Sequence, residues 1–336
     1  MISQCFVTLF LALPLFVVAD PVRPLENQIE ASAGHEVKIL RKFADFASDF
    51  NKLYANEAEL HERYSIFKAN LKKIDRLNKE HRGTTEYGIT KFADLTYYTS
   101  RINPQELNRH QNSIKNAAKH SIEFSDVRDE NVRVVNGKIQ LPRRVDYREK
   151  NAVTSVKDQG KCGSSYAFST ITNVEGVYAK NTSVLLDLSV QELVDCDKVN
   201  AACDGGVNVY EAAKELARLG GVLNSTDYPY VAKKEQCRFD KEKIAVKVSG
   251  VRSIADDEDE MAKALIENGP LSVGVAVSEN WQFYRSGVFW PASVQCSTDP
   301  ADISHAVAIV GYGEWLHLPY WLVKNSWGPN WGDKVS

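Results

Sequence analysis

Residues 159–169 read Gln-Gly-Lys-Cys-Gly-Ser-Ser-Tyr-Ala-Phe-Ser. A glycine-bearing loop runs here directly into a predicted helix that begins at Ser165. Its apolar residues recur at helical spacing and share one face: Phe168, Ile171, Val174 and Tyr178. The first turn of a helix presents unpaired backbone N–H groups and the positive end of the helix dipole. The geometry suits a thiolate nucleophile and an oxyanion, so we expect reaction chemistry at Ser165.

Two later segments carry the residue types that such chemistry needs. Ser304-His305-Ala306-Val307 supplies an imidazole, and Tyr320-Trp-Leu-Val-Lys-Asn-Ser-Trp-Gly328 supplies an amide next to an aromatic ring. With the helix-opening loop, these segments resemble the papain family of cysteine peptidases. The resemblance implies that Ser165 occupies the nucleophile position and that His305 is the base. It also implies that Asn325 orients the imidazole and that Gln159 donates to the oxyanion.

The same resemblance assigns residues that hold substrate. Gly205-Gly206 resembles the strip along which an extended substrate backbone lies, and Ser304 and Trp327 flank the base and the amide. The expected ligands are protein or peptide substrates, cystatin-type inhibitors and the chain's own propeptide.

A propeptide signature of the family precedes the peptidase motifs. Its helical positions are Glu59, Arg63, Phe67, Asn70, Ile74 and Asn78. Its second motif is Gly88-x-Thr90-x-Phe92-x-Asp94, with threonine where the family pattern has asparagine. The resemblance covers residues 35 to 336, and residues 282–287 are most similar to the cathepsin F branch.

The pattern of apolar and polar residues changes along the chain. Residues 6–19 are almost wholly apolar and precede Asp20-Pro21, which predicts a secretory signal. We predict a signal peptide at 1–19, an inhibitor-type propeptide at 20–140 and a papain-like peptidase domain at 141–336. Helical patterns followed by strand patterns predict an α+β fold. The resemblance makes it two-lobed, with a helical lobe and a β-barrel lobe. Residues 245–254, 270–277, 305–311 and 320–324 are predicted strands. Ser189-Val190-Gln191-Glu192 is predicted to be a capping box that opens a short helix. Residues 99–139 are polar and have no clear period, which predicts a linker or an extended segment.

Charge and cysteine spacing exclude several classes of function. The net charge is −3 with acids and bases interspersed, which argues against nucleic acid and against a charged membrane surface. No close pair of cysteines has metal-ligand spacing, so we predict neither a metal nor a cofactor. No stable membrane anchor is expected. The signal directs the chain to the secretory pathway, with a lysosomal or extracellular destination.

Five cysteines follow the predicted signal peptide, an odd number in an oxidising compartment. The resemblance implies the pairs Cys162–Cys203 and Cys196–Cys237. Cys296 would pair with a cysteine beyond Trp327, but the sequence ends at Ser336, before the family's last strands, so we expect it unpaired here. We favour an incomplete sequence as the explanation. Asn181 and Asn224 begin glycosylation motifs.

Position 165 holds serine where the papain family has its nucleophilic cysteine, and this difference decides the expected function. A hydroxyl ionises far less readily than a thiol, so Ser165 would depend on His305 as a general base. Asn325 carries no charge that could stabilise the imidazolium formed in this way. An uncharged third residue costs about 10⁴ in rate in serine hydrolases. Loss of the nucleophile costs on the order of 10⁶. We therefore expect very weak or absent peptidase activity.

Three alternatives stay open. Ser165 and His305 could support a residual hydrolase, the propeptide could inhibit related cathepsins, or the cleft could act as a decoy for peptides or inhibitors. The Ser165-Tyr166 pair also resembles sponge silicateins, although the rest of the chain is closer to cathepsin F. Tyr166 itself is expected to pack against the helix.

Overall fold

The computed structural model describes residues 34–96, 133–135, 138–206, 208–255, 257–289 and 302–333. The predicted signal peptide, most of the polar segment 99–139 and Cys296 lie outside the described residues. The chain forms two compact units, Met1–Lys68 and Ala69–Ser336. No helix in the described ranges is both long and apolar enough to cross a bilayer.

The described part of the first unit is helical. Helix α1 spans Gly34–Asp49, and helix α2 spans Glu57–Glu80, of which residues 57–68 belong to this unit and residues 69–80 to the second. Phe43 is fully buried, and its ring centroid lies 5.2 Å from that of Phe67 and 5.4 Å from that of Tyr64. The periodic aromatic residues are thus core packing, as the helical spacing indicates.

The second unit combines helices and strands. Its remaining helices are α3 Ser165–Thr182, α4 Gln191–Cys196, α5 Val209–Leu219 and α6 Glu258–Asn268. Its strands are β1 Thr85–Tyr87, β2 Arg133–Val135, β3 Lys138–Gln140, β4 Val145–Asp146, β5 Gly221–Val222, β6 Val246–Lys247, β7 Leu271–Val275, β8 Tyr284–Gly287, β9 His305–Trp315 and β10 Leu318–Lys324.

Strand β9 organises the sheet that carries the predicted base and amide. It pairs antiparallel with β10, β7 and β4, and Val323 and Lys324 lie opposite Ile309 and Ala308. His305 is the first residue of β9, and Asn325 directly follows the end of β10. Antiparallel pairing therefore brings two residues twenty positions apart to the same end of the sheet.

Two local predictions need correction. The strand predicted at 245–254 is only Val246–Lys247, because β5 offers a two-residue partner and the ladder ends with it. Only one of the two hydrogen bonds of the capping box predicted at Ser189 and Glu192 forms. The Glu192 N–H donates to Ser189 Oγ at 3.1 Å, but Glu192 Oε2 accepts from Leu223 N at 2.8 Å instead of from Ser189.

Residues 69–96 pack within the second unit. Strand β1 pairs antiparallel with β8, and Gly88 N donates to Phe283 O at 2.8 Å. Asn78 secures β1 through two hydrogen bonds with the Tyr87 backbone, each 2.8 Å long. Asn70 Nδ2 likewise donates to the carbonyls of Ala93 and Leu95 at 2.9 Å.

Candidate active site

Ser165 is the first residue of α3 and is only 3% exposed. Its Oγ accepts a hydrogen bond from the Ala306 N–H at 3.3 Å. Among the described residues, no hydrogen bond joins Ser165 Oγ to the His305 ring. The Ser165 N–H has no partner within the same ranges, so it is available at the positive end of the helix dipole.

His305 is held as a neutral imidazole. Its Nε2 lies 2.8 Å from Asn325 Oδ1, and the same oxygen accepts from Ser326 N at 2.7 Å. Because this oxygen can only accept, Nε2 carries the proton and Nδ1 keeps its lone pair. Burial lowers the pKa of His305 to about 4. The hydrogen bond with Asn325 acts in the opposite direction and has the smaller effect.

Trp327 covers this pair. Its ring centroid lies 5.0 Å from that of His305 and 4.8 Å from that of Trp331. The aromatic cover keeps water from the imidazole and contributes to the burial that keeps it uncharged.

Gln159 is fixed beside the start of α3. The side chain is 1% exposed, Nε2 donates to Cys162 O at 3.0 Å, and Oε1 accepts from Ser326 Oγ at 2.6 Å. An amide NH₂ has two donors, so one Nε2 proton remains for a developing oxyanion. Tyr230 braces the loop, since its hydroxyl donates to Gln159 O at 2.9 Å and lies 2.7 Å from Ser164 Oγ.

The ring of Tyr166 packs so closely against Gly206 that a larger residue at position 206 would displace it. Gly205 adopts φ +106°, and a Cβ on Gly206 would lie 2.6 Å from Cγ of Tyr166. Tyr166 is buried, as its interpretation as packing requires. The Gly163 N–H donates to Cys203 O at 2.8 Å, which joins the strip to the loop before α3.

Two disulfides frame this region. Cys162 is bonded to Cys203 and Cys196 to Cys237, the pairs that the resemblance implies. Ser304 lies at the edge of β7, where its N–H donates to Val275 O at 3.0 Å and its Oγ accepts from Val277 N.

The two glycosylation motifs differ in their setting. Asn181 lies exposed in the last turn of α3 with Nδ2 bonded to Val177 O, whereas Asn224 lies half-buried at a turn. No group of three or more His, Cys, Asp or Glu side chains in the described ranges is arranged to hold a metal ion.

The arrangement of a helix start, a buried imidazole–amide pair and a side-chain oxyanion donor matches a known family. The profile described as papain family cysteine protease matches residues 141–335. The chain belongs to the papain family. A second profile, the cathepsin propeptide inhibitor domain, matches residues 43–98.

Its relatives include cathepsins F. The chain is 40% identical over 308 residues to cathepsin F of Drosophila melanogaster and 37% identical over 316 residues to cathepsin F of Mus musculus. These alignments cover 88% and 93% of the chain but only 47% and 63% of the relatives. The chain thus spans between about half and two thirds of the length of these relatives.

Solved zymogens share its fold. Digestive procathepsin L 3 of Tenebrio molitor matches with a TM-score of 0.72 at 32% identity, covering 88% of this chain and 91% of the other. The proform of the ragweed pollen cysteine protease Amb a 11 matches with a TM-score of 0.71 at 33% identity, covering 92% and 89%. The protein has an α+β, papain-like fold, and an inhibitor-type propeptide domain precedes its papain-family domain.

Residues 90–92 of the second unit contact residues next to the imidazole and to Gln159. The ring of Phe92 packs edge-on against Trp327 with centroids 5.2 Å apart. Thr90 donates its hydroxyl proton to Gln282 O, so threonine keeps a buried hydrogen bond at the position where the motif has asparagine. Lys91 Nζ lies 2.7 Å from an oxygen of Asp158, the residue before Gln159.

Sequence reasoning missed several residues that support the site. The backbone N–H of Ala306 and the carboxylate of Asp158 belong to no motif that distinguishes them. Glu175, on the helix of Ser165, is 1% exposed and binds Lys157 and Thr154. A glutamate at a buried position of a helix is the one signal that could have found this group, since buried charges are paired.

Proposed function

We propose that the protein is a cathepsin F-like homologue that enters the secretory pathway as a zymogen and has lost most or all of its peptidase activity. The observation that carries the proposal is Ser165 at the nucleophile position. Its hydroxyl accepts from the backbone of Ala306 and is not hydrogen-bonded to His305 within the described residues.

The electrostatics of the pair also disfavour turnover. A papain-type enzyme uses a thiolate paired with an imidazolium, whereas a hydroxyl next to a neutral imidazole is a weak nucleophile. A pKa of about 4 for His305 makes it a poor proton acceptor near neutral pH. Asn325 adds no charge to stabilise the imidazolium that would form.

The groups that bind a ligand are retained. Gln159 Nε2 and the Ser165 N–H can bind a carbonyl oxygen, and the strip Gly205-Gly206 is the proposed site of an extended substrate backbone. The proposed ligands are peptides and cystatin-type inhibitors, which recognise the cleft rather than the nucleophile. The proposed domain boundaries are 19/20 and 140/141, and Asn181 and Asn224 are the proposed glycan acceptors.

The test is a comparison of binding and turnover by the secreted chain after its propeptide has been removed. We expect saturable binding of a cystatin-type inhibitor and no measurable hydrolysis of peptide substrates. A folded sample that binds neither peptides nor inhibitors would refute the proposal. Hydrolysis that is lost in both Ser165→Ala and His305→Ala would instead establish a residual serine hydrolase.

A second function is favoured by the propeptide contacts. Residues 69–96 are held by β-pairing, by Asn78 and by the ion pair of Lys91 with Asp158. Such a segment suits inhibition of an active relative in trans. We expect the segment of residues 35 to about 98 to inhibit a related cathepsin at nanomolar concentration, and no inhibition at micromolar concentration would exclude this function.

A further inference from the structure

A small internal cavity lies behind the active site, between α3 and the segment that follows β10. Its volume is about 10 Å³, which is the lower limit of what a single water molecule needs. Polar residues on its wall include Ser169, Thr172, Lys324, Asn325 and Ser326. The residues on this wall all belong to the predicted peptidase domain, and Phe92 is not among them.

Two polar groups on this wall have no protein partner within the described residues. Nδ2 of Asn325 is buried and makes no hydrogen bond there, although Oδ1 of the same amide has two donors. The hydroxyl of Thr172 makes no hydrogen bond there either, although its oxygen keeps some exposed area in a residue that is 6% exposed. Buried donors in native proteins nearly always have a partner, either in the protein or in an ordered water.

Lys324 adds a third polar neighbour. Its ammonium donates to Thr154 Oγ1 at 2.8 Å and has two further protons. A buried water needs two to four polar partners, and an amide donor, a hydroxyl and an ammonium meet that need.

We propose that one water molecule occupies this cavity, accepts a hydrogen bond from Asn325 Nδ2 and donates one to the Thr172 hydroxyl. The water holds the Asn325 amide with Oδ1 towards His305. It therefore fixes the tautomer of His305 from behind. Thr172 is a positioning residue that acts on His305 through the water and through Asn325, and it does so whether or not Ser165 supports turnover.

The first test is a crystal structure of the full chain at about 1.5 Å resolution, where ordered internal water is visible. We expect a solvent peak within about 3 Å of Asn325 Nδ2 and of Thr172 Oγ1. A cavity without solvent density would overturn the proposal.

The second test uses a matched pair of variants in solution. Thr172→Val keeps the shape of the side chain but removes the hydroxyl, whereas Thr172→Ser keeps the hydroxyl. The readout is the NMR signal of the His305 Nε2 proton and its exchange with solvent. We expect exchange about tenfold faster in Thr172→Val, and a rate close to that of the unmodified chain in Thr172→Ser.

A merely structural role for Thr172 would not move this signal selectively. If both variants fold and the exchange of the His305 proton is equal in all three proteins, Thr172 does not position His305 and the proposal fails. If Thr172→Val does not fold, the crystal structure of the unmodified chain still decides whether water is bound.

Discussion

Glu192 makes the stability of the protein depend on pH in a direction that the structure fixes. The side chain has no exposed area, Oε2 accepts from Leu223 N at 2.8 Å, and Oε1 has no partner among the described residues. Burial raises the pKa of Glu192 to about 8, and the Leu223 N–H lowers it by a smaller amount. The folded protein therefore keeps this carboxyl protonated at a pH at which the unfolded chain ionises it.

The magnitude follows from the two pKa values. The stability that Glu192 contributes is full below the unfolded value of 4.5 and is lost as the pH rises through about 8. At pH 7 the loss is about 3 kcal/mol, since each pKa unit corresponds to about 1.4 kcal/mol. Glu192→Gln keeps an acceptor for Leu223 N but does not titrate, so the loss disappears in the variant.

The assay is urea unfolding of the full chain between pH 4.5 and 7, with the unmodified protein and Glu192→Gln side by side. Subtracting the two free energies of unfolding cancels every other titration, including that of His305, which acts in the opposite direction. We expect the variant to gain about 3 kcal/mol relative to the unmodified chain across this range. Glu242→Gln, at an exposed position, is the control. If the difference in the free energy of unfolding between Glu192→Gln and the unmodified protein stays constant with pH, the reasoning is refuted.

Three further predictions concern backbone geometry and packing. Leu316 and His317 have φ of +49° and +62° at the turn between β9 and β10, so Leu316→Asn combined with His317→Gly should raise the free energy of unfolding by about 1–2 kcal/mol; an unchanged melting temperature would show that the turn is not strained. Gly206→Ala should destabilise by about 1–3 kcal/mol, because its Cβ would lie 2.6 Å from the Tyr166 ring. Gly250→Ala, where a Cβ meets nothing within 4 Å, should leave chemical denaturation nearly unchanged, and equal effects of the two changes would contradict the packing. Asn78→Ala removes both hydrogen bonds to Tyr87 and should speed the cleavage of residues 85–96 by added trypsin under native conditions. The control Asn181→Ala, on the exposed end of α3, should not change the cleavage rate. If Asn78→Ala is as resistant to trypsin as the unmodified chain, Asn78 does not hold β1.

The start of α3 and the positions of His305 and Asn325 were predictable because local signals specify them. A glycine-bearing loop before an apolar period of 3.6 sets the helix start, and the apolar runs around His305 and before Asn325 set two strands. The cysteine pairs came from the family pattern and not from spacing, since spacing alone leaves several connectivities open.

Other features depend on partners far along the chain and left no local signal. The strand predicted after residue 244 stops at Lys247 because β5 provides no longer partner. The hydrogen bond from Ala306 to Ser165 and the pKa of His305 depend on how β9 packs against α3. Burial of Glu192 is equally invisible in a sequence that shows it only as a helix-opening acid.

Peptidase activity at mildly acidic pH, compared among the unmodified chain, Ser165→Ala and Ser165→Cys after removal of the propeptide, tests the central claim most directly. We predict that the unmodified chain and Ser165→Ala are equally inactive. Ser165→Cys should restore turnover by a factor of at least about 10⁴, because the oxyanion donors, His305 and Asn325 are already in place. Turnover by the unmodified chain that disappears in Ser165→Ala, or a folded Ser165→Cys protein that binds peptides without cleaving them, would contradict the account.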